Sequence, residues 1–344
     1  MLVSLLPSFV FAADGTPKIN AENGAYIIED VKDLVWFGEQ VASGKNKINA
    51  ELADDIDLSG TKWTAINPSD GYATSAFGGT FDGKNHLIKG LEINATAANQ
   101  GLFGVVYGGT VKNLRVEGNV ASSGNYVGGI VANLNGGTIE NCSFSGSVST
   151  TKKSGYAGGI AGYAKPSKSA SISGCVNTAS ITATNSGYAG GIISWATKTN
   201  ISNCYNTGKI NGAFRSGTIA GQLSSKSTID NSYSVDNTAE ICGFVPPSGV
   251  AITNCFKDGS EVGADELLSQ LGSAFVKDEN NINGGYPILA WQSGSAPQPK
   301  NPELKISGVG ELSLTNSGEQ VFTTLTAEYL NTDDTVPVEW SVES

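Results

Sequence analysis

The sequence predicts an all-β fold, a right-handed parallel β-helix in which short strands stack coil upon coil. A double glycine followed by isoleucine returns after 30 and then 32 residues, at positions 128–130, 158–160 and 190–192. Between these lies an isoleucine followed three residues later by a cysteine, at 139–142, 172–175 and 201–204. A repeat of about 30 residues without helical periodicity is typical of a solenoid, whose repeats bury their apolar sides by stacking. Right-handedness follows from the usual hand of parallel crossovers.

The composition indicates a soluble, elongated β protein. The chain has 344 residues, of which 39% are apolar and 15% charged, and its 44 glycines against one methionine indicate many turns. The net charge is −11 and the only arginines are Arg115 and Arg215. Nucleic acid is therefore not an expected partner, because phosphate binding needs clustered lysine and arginine. An acidic membrane surface is disfavoured for the same reason.

Residues 1–13 form an apolar stretch that ends in small residues. This pattern predicts a signal peptide cleaved after Ala12 or Ala13, although no basic residue precedes the stretch, and a buried strand is the alternative. No run of 18 apolar residues follows, so membrane insertion is not expected in this chain. The expected location is extracellular, at the cell surface.

The segment after this leader predicts a cap for the first coil. Ala25 to Ile28 has the pattern of a short strand, and the helix that follows carries apolar residues at Val31, Leu34, Phe37 and Val41. Asp30 suits the N-cap and Gly44 the C-cap. A single amphipathic helix before a stack of strands covers the open end, where an uncovered sheet edge would pair with other chains.

The repeat continues in both directions from the central stretch. Six elements align with the Ile-x-Asn-Cys pattern, at 111–114, 139–142, 172–175, 201–204, 229–232 and 252–255. A short helix ended by Gly272 and a strand at 286–291 would close the second end. Residues 25–292 should therefore form one β-helix of about nine coils, roughly 40 Å long at ~4.8 Å per coil.

Several phrases together resemble bacterial GLUG-motif surface proteins. They are Phe77 to Gly83 (FGGTFDG), Gly101 to Gly104 (GLFG), the Gly-Gly-Ile repeats with their Ile-x-Asn-Cys partners, and Gly284 to Leu289 (GGYPIL). The resemblance covers roughly residues 25–292. It implies a secreted, parallel β-helical module of large, modular cell-surface proteins, including some peptidases in which this region is not the catalytic part. It implies no catalytic residues.

The C-terminal part changes character. Residues 293–302 contain three prolines and are expected to form an extended linker. From residue 303 the strands lengthen, with alternation at 304–306, 321–327 and 338–342, and this resembles the opening strands of a bacterial immunoglobulin-like domain. The 42 residues of 303–344 fall short of the ~100 that such a sandwich needs, so this domain is predicted to be partial.

The repeated cysteines predict a buried file. In a stacked coil, equivalent positions place their side chains in one inward row, which comprises Cys142, Cys175, Cys204 and Cys255. Cys242 lies off this register. An odd number of cysteines at full-coil spacing favours reduced thiols that fill space, with disulfides between coils as the alternative. The spacing lacks the close pairs of a zinc site.

A second file is predicted from asparagines one residue earlier in the pattern, namely Asn113, Asn141, Asn203, Asn231 and Asn254. Stacked amides can bond to each other and to turn backbone. Turn asparagines usually serve their own backbone, so a structural ladder is favoured over ligand binding.

Tyr126, Tyr156 and Tyr188 each lie two residues before a double glycine, so they should form a ladder on one face. Ring packing between coils explains them without a ligand, whereas a glycan-stacking platform is the functional alternative.

The acidic residues do not form a recognisable site. Asp54, Asp55 and Asp57 could offer oxygen ligands to calcium but lack a spaced ligand loop, so solvated turn carboxylates are favoured. Asp82 precedes a glycine in a tight bend. His86 is the only histidine, which excludes a two-histidine metal motif. No metal, cofactor or catalytic residue is predicted.

The expected function is a non-enzymatic, monomeric module that spaces or presents contacts to host proteins or glycans. The alternative is a carbohydrate-active β-helix enzyme of the lyase or glycosidase type, because such active sites are assembled from different coils and leave no local motif.

Overall fold

The computed structural model describes residues 15–68, 76–164, 168–235 and 239–293, and the strands at 303–307 and 326–330. The predicted signal peptide, residues 294–302 of the predicted linker and the predicted strand at 338–342 lie outside the described residues. The chain divides into two compact units, Met1–Leu289 and Ala290–Ser344. No described helix has the length and apolar character needed to cross a membrane.

The first unit is a parallel β-helix, which confirms the predicted all-β solenoid. Four sheets, here called A to D, run along it, and each full turn passes through them in the order C, A, B and D. Sheet A contains Tyr26–Ile28, Ala50–Leu52, Thr80–Asp82, Thr110–Lys112, Gly137–Glu140, Ala170–Ser173, Thr199–Ser202, Ser227–Asp230 and Val250–Thr253. Sheet B contains Ile56–Asp57, Leu87–Ala95, Arg115–Ser122, Ser143–Thr150, Val176–Asn177, Ser180–Ala183, Tyr205–Asn206, Ile210–Gly212 and Tyr233–Ser234.

The two shorter sheets lie only in the central turns. Sheet C contains Phe103–Tyr107, Val131–Asn135, Ala161–Ala164, Ile193–Ala196 and Ala220–Leu223. Sheet D contains Tyr126–Gly128, Tyr156–Gly158, Tyr188–Gly190 and Arg215–Gly217. Sheet A has nine strands, as the predicted number of coils requires, but within the described ranges the outermost layers have no strands in sheets C and D. The stack therefore amounts to about seven turns, fewer than the nine predicted.

The register between coils follows the sequence repeat. In sheet A, Ile139 pairs with Val111 on one side and with Ile172 on the other. The same file continues through Ile201, Ile229 and Ile252. The isoleucines from 139 to 229 are fully buried, so the file forms the spine of the core.

The first helix, α1 (Val31–Ala42), caps the stack as predicted. The Asp30 carboxylate accepts hydrogen bonds from the backbone N–H groups of Lys32 and Asp33, so Asp30 is the N-cap. Phe37 is fully buried and its ring lies 5.6 Å from that of Phe77 and 5.4 Å from that of Phe81.

The end of α1 differs by one residue from the prediction. Ser43 is the C-cap, and Gly44 follows it with φ +99°. Glycine fits this place because the left-handed residue after a helix has no Cβ penalty there.

The second end of the stack is closed by α2 (Gly259–Val262), α3 (Ala264–Gln270) and an antiparallel pair, Phe275–Val276 with Ile288–Leu289. Leu267 of α3 is fully buried, and the ring of Phe275 lies 5.7 Å from that of Tyr233 in the last strand of sheet B. The predicted strand at 286–291 is wrong at both ends. Pro287 has no N–H to donate, and a 3₁₀ helix begins at Ala290.

The second unit contains that 3₁₀ helix, Ala290–Ser293, and two antiparallel strands, Glu303–Ser307 and Thr326–Leu330. The immunoglobulin-like identity of this part stays a prediction.

The cysteine file lies at the start of sheet B, directly inside the bend from sheet A. Cys142, Cys175 and Cys204 are fully buried, and each thiol donates to the carbonyl two residues earlier at 3.1 to 3.2 Å. Ser232 takes the next place, and its hydroxyl makes the same bond to Asp230. All five cysteines are free thiols. Burial raises the pKa of Cys175, and raises that of Cys242 and Cys255 to about 11.

Replacing Phe37 by alanine should lower the free energy of unfolding by about 3–5 kcal/mol, because a buried aromatic ring leaves a cavity at the capped end. Val35→Ala in the same helix is the control, since Val35 is 37% exposed; its effect should stay within about 0.5 kcal/mol. Urea unfolding followed by tryptophan fluorescence measures both. Equal effects of the two substitutions would contradict the capping role of α1.

Thiol labelling tests the cysteine file. Cys255 is the only cysteine of the file that is not fully buried, so it should react first. Because the thiolate is the reactive form, its labelling rate should rise about tenfold per pH unit until the pH approaches 11.

Cys255→Ser should remove this first phase and leave the others slow. Unfolding without reductant should then expose all five thiols of the unsubstituted chain. Fewer than five labelled sites would instead indicate disulfides between coils.

Candidate functional site

The three predicted tyrosines form a ladder. Tyr126, Tyr156 and Tyr188 begin successive strands of sheet D and pair in register. The ring centroids of Tyr126 and Tyr156 are 5.4 Å apart and those of Tyr156 and Tyr188 are 4.9 Å apart, with interplanar angles of 26° and 21°. All three are partly exposed, so the ladder faces outward.

A second file runs beside the ladder in sheet C, and its two aromatic members are partly exposed whereas its two amide members are buried. Asn133, Tyr163, Trp195 and Gln222 pair in register along it. The ring of Tyr163 lies 4.6 Å from that of Tyr126, and the ring of Trp195 lies 5.8 Å from that of Tyr188. These ring contacts join the two files across the turn from sheet D to sheet C. We call the cluster the aromatic corner, which comprises Tyr126, Tyr156, Tyr163, Tyr188, Trp195 and Phe214.

The double glycines make this corner possible. A Cβ on Gly128 would lie 2.1 Å from the carbonyl oxygen of Val131, and one on Gly129 would lie 2.3 Å from the ring of Phe144. Neither distance is possible between real atoms, so this turn from sheet D into sheet C needs glycine at both positions. Because of this turn, the residue two positions before a glycine pair contacts the residue four positions after that pair. Tyr156 and Tyr163 are an example.

Tyr156 is the centre of the corner. Its ring is stacked between those of Tyr126 and Tyr188 and also contacts Tyr163 and Trp195 at 5.3 and 5.6 Å. Burial raises the pKa of its phenol to about 12. Both faces of this ring are covered, so Tyr156 can offer a ligand only its edge and its neutral hydroxyl.

Arg215 continues the ladder after Tyr188. Its guanidinium carbon lies 3.7 Å from the ring centroid of Phe244 and 5.0 Å from that of Phe214, a cation–π arrangement, and it donates to the Gln222 side chain. Phe214 is 58% exposed and is the most exposed ring of the aromatic corner. The corner therefore ends in a fixed positive charge between two rings.

Sequence reasoning identified the ladder but missed Tyr163, Trp195, Phe214 and Arg215. The sequence contains a signal for two of them. Tyr163 follows Tyr156 by seven residues, and Trp195 follows Tyr188 by the same offset.

The predicted asparagines lie at the bend from sheet A to sheet B. All five have left-handed backbones, with φ between 44° and 52°. The Asn141 amide donates to Asn113 at 3.3 Å, and that of Asn254 donates to Asn231 at 3.1 Å. Gly174 fills the place between Asn141 and Asn203 and also has a positive φ. The amides of this ladder therefore bond to each other at these two steps, and each cysteine of the cysteine file follows directly in sequence.

The acidic residues near the N-terminal end are engaged in turns and ion pairs. The Asp55 carboxylate accepts from the Leu87 N–H at 2.8 Å and lies 3.3 Å from His86 Nδ1. Asp82 lies within 4 Å of the ammonium groups of Lys84 and Lys112. Hydrogen bonds from Ser59 and Lys89 lower the pKa of Asp57 to about 2. Among the described residues, no three histidine, cysteine or acidic side chains converge as metal ligands.

The chain matches the GLUG motif at residues 123–149 and 185–211. Each match begins in the turn before a ladder tyrosine, passes through the double glycine and ends in sheet B, so one motif corresponds to one turn.

Two further similarities concern longer stretches. Over 156 residues the chain is 30% identical to Halomucin of Haloquadratum walsbyi (strain DSM 16790 / HBSQ001), covering 42% of this chain and 2% of that protein. The chain thus spans a very small part of the length of this relative. A crystal structure from Bacteroides ovatus, provisionally described as an immunoglobulin A1 protease, matches with a TM-score of 0.55 and 22% identity, covering 80% of this chain and 96% of that one.

At 22% identity the structural match shows the fold alone. The two motif matches lie on equivalent stretches of two repeated turns. The chain therefore carries two copies of the GLUG motif, each of which spans one turn of the parallel β-helix.

Proposed function

We propose that the chain is a non-enzymatic module of a larger, extracellular cell-surface protein, and that it binds glycans through the aromatic corner. The observation that carries the proposal is the corner itself. Six rings from four consecutive turns meet at 4.6 to 5.8 Å on the outside of the stack. If the tyrosine ladder served the fold alone, the second file with Tyr163 and Trp195 would not be needed beside it.

The chemistry of the corner suits sugars. A sugar ring presents C–H groups on its faces and hydroxyl groups around its edge. The exposed ring of Phe214 offers an apolar surface, and tyrosine hydroxyls both donate and accept hydrogen bonds. Of the two partners predicted, host protein and glycan, this surface favours glycan.

The surface location rests on similarity. GLUG-motif proteins, which the sequence resembles, are modular surface proteins, and the matching stretch makes up only 2% of Halomucin. A rod with a cap at each end suits such a role, because capped ends prevent strand pairing with other chains. The module therefore separates neighbouring domains along a longer chain, while its side binds the glycan. We propose that it acts as a monomer.

The proposal predicts that Tyr163→Asn combined with Trp195→Gln weakens glycan binding about tenfold or more, because two aromatic contacts of the corner are lost. Asn133 and Gln222 already occupy equivalent places in neighbouring turns, so the fold should accept both changes. Binding is measured on a glycan array and then by calorimetry with the best ligand.

Tyr107→Asn is the matched control. Tyr107 is also a partly exposed aromatic residue of sheet C, and it pairs in register with Asn135. The Tyr107→Asn substitution should leave the affinity for the glycan unchanged. Equal losses in both proteins, or no glycan bound by the unsubstituted chain, would contradict the proposal. Release of new reducing ends from a bound glycan would favour the enzyme alternative.

A further inference from the structure

The charge of the chain is divided sharply along the stack. From Asn141 to Ile229 there is no aspartate or glutamate, whereas this stretch contains eight of the 21 lysine and arginine residues. All 32 acidic residues lie in the rest of the chain. We call residues 141–229 the acid-free coils. They carry a formal charge of +8 in a protein of net charge −11, and they build most of the aromatic corner.

Seven of the eight basic residues of the acid-free coils lie in the described part of the chain, and none of these seven forms an ion pair there. Every ion pair among the described residues involves a basic group outside the acid-free coils. In the acid-free coils, the described basic side chains have no carboxylate within 4 Å; they are Lys152, Lys153, Lys168, Lys198, Lys209, Arg215 and Lys226. Elsewhere, lysines such as Lys89 and Lys112 each pair with an aspartate.

The unpaired charges border the aromatic corner on both sides. Lys152 and Lys153 are exposed in the turn that leads into Tyr156. Lys198 and Lys226 lie in turns from sheet C to sheet A, and each has a positive φ. Lys198 follows Trp195 by three residues, and Lys226 follows Gln222 by four. Arg215 lies inside the corner, at the end of the tyrosine ladder. Positive groups thus flank and end one continuous outward surface.

Arg215 is the group best prepared to bind an acid. Its guanidinium is held over Phe244 and by one hydrogen bond to Gln222. A guanidinium has five N–H donors and matches a carboxylate or sulfate with two parallel bonds. Because the ring contacts already restrict this side chain, little further conformational entropy is lost on binding.

We infer that the aromatic corner binds an acidic polysaccharide, one whose sugars carry carboxylate or sulfate groups. This inference rests on the proposed function and specifies the class of glycan. The corner supplies hydroxyl groups and ring edges to the sugars. Arg215 binds one acidic group of the polysaccharide, and the flanking lysines attract the next acidic groups along the polymer. At physiological salt, screening over about 8 Å limits the influence of the acidic ends of the rod on this surface.

Nucleic acid is the other polyanion that such a charge could attract, and the ring geometry disfavours it. Binding of single strands depends on bases stacking on exposed aromatic faces. The faces of Tyr156 are covered by Tyr126 and Tyr188, and Phe214 is the one ring of the corner that is exposed rather than partly buried, so successive bases find no row of free faces. An oligothymidylate is therefore included in the test as a competing ligand.

The experiment measures binding of the whole chain to polygalacturonate, heparin, neutral dextran and oligothymidylate at about 20 and about 200 mM salt. Polygalacturonate or heparin should bind most tightly and should weaken at the higher salt concentration. A triple variant, Lys152→Gln, Lys153→Gln and Arg215→Gln, should reduce this affinity at least about tenfold, because charge-assisted hydrogen bonds are lost.

The control is Lys32→Gln, Lys89→Gln and Lys112→Gln, which removes the same charge outside the acid-free coils and should change affinity less than about twofold. Circular dichroism checks folding, and the salt dependence of the unsubstituted chain tests the inference without any variant. Tight neutral-glycan binding that is unaffected by the charge variant would overturn this inference but leave the proposed function standing. Equal losses in both variants, preference for oligothymidylate or absence of acidic-glycan binding would also overturn it.

Discussion

Every feature of this protein depends on the in-register stacking of parallel coils. Backbone hydrogen bonds join each strand to the strands above and below, and a slip of one residue would turn every inward side chain outward. A residue type that recurs at one place in the repeat therefore becomes a continuous file. Cysteines fill the inside of one bend, asparagines lie at the bend itself, and aromatic residues form the outer corner.

The repeat predicts these files because equal spacing guarantees equal position. Tyr126, Tyr156 and Tyr188 could be assigned to one face from their distance to the double glycine alone. The same argument placed Cys142, Cys175 and Cys204 in one buried file. The N-cap at Asp30 was also predictable, because capping depends on local side-chain chemistry.

The second aromatic file was not predictable in the same way. Tyr163 and Trp195 share their place with Asn133 and Gln222, so no single residue type marks that position. Their contact with the ladder depends on the angle of the turn at the double glycine, which is a property of the stacked structure. The strand predicted at 286–291 is limited to Ile288–Leu289 for a local reason, because Pro287 has no N–H to donate and a 3₁₀ helix begins at Ala290.

The net charge of the whole chain does not show how unevenly the charged residues are distributed along the stack. A value of −11 for the whole chain argues against polyanionic partners, yet the acid-free coils are strongly positive. The fold keeps them together because consecutive residues form consecutive turns, so a segment without acids becomes a block of the rod. Aromatic contact and positive charge thereby meet on one side of the stack.

Hydroxyl-radical footprinting with and without polygalacturonate tests the central claim most directly, because it reports side-chain exposure at each aromatic residue. The structure predicts that bound polysaccharide lowers oxidation of Tyr163, Trp195 and Phe214, while oxidation of Tyr107 and Trp36 stays constant. Protection of Tyr107 and Trp36 in place of the corner residues, or no protection at saturation, would contradict the assignment of this surface.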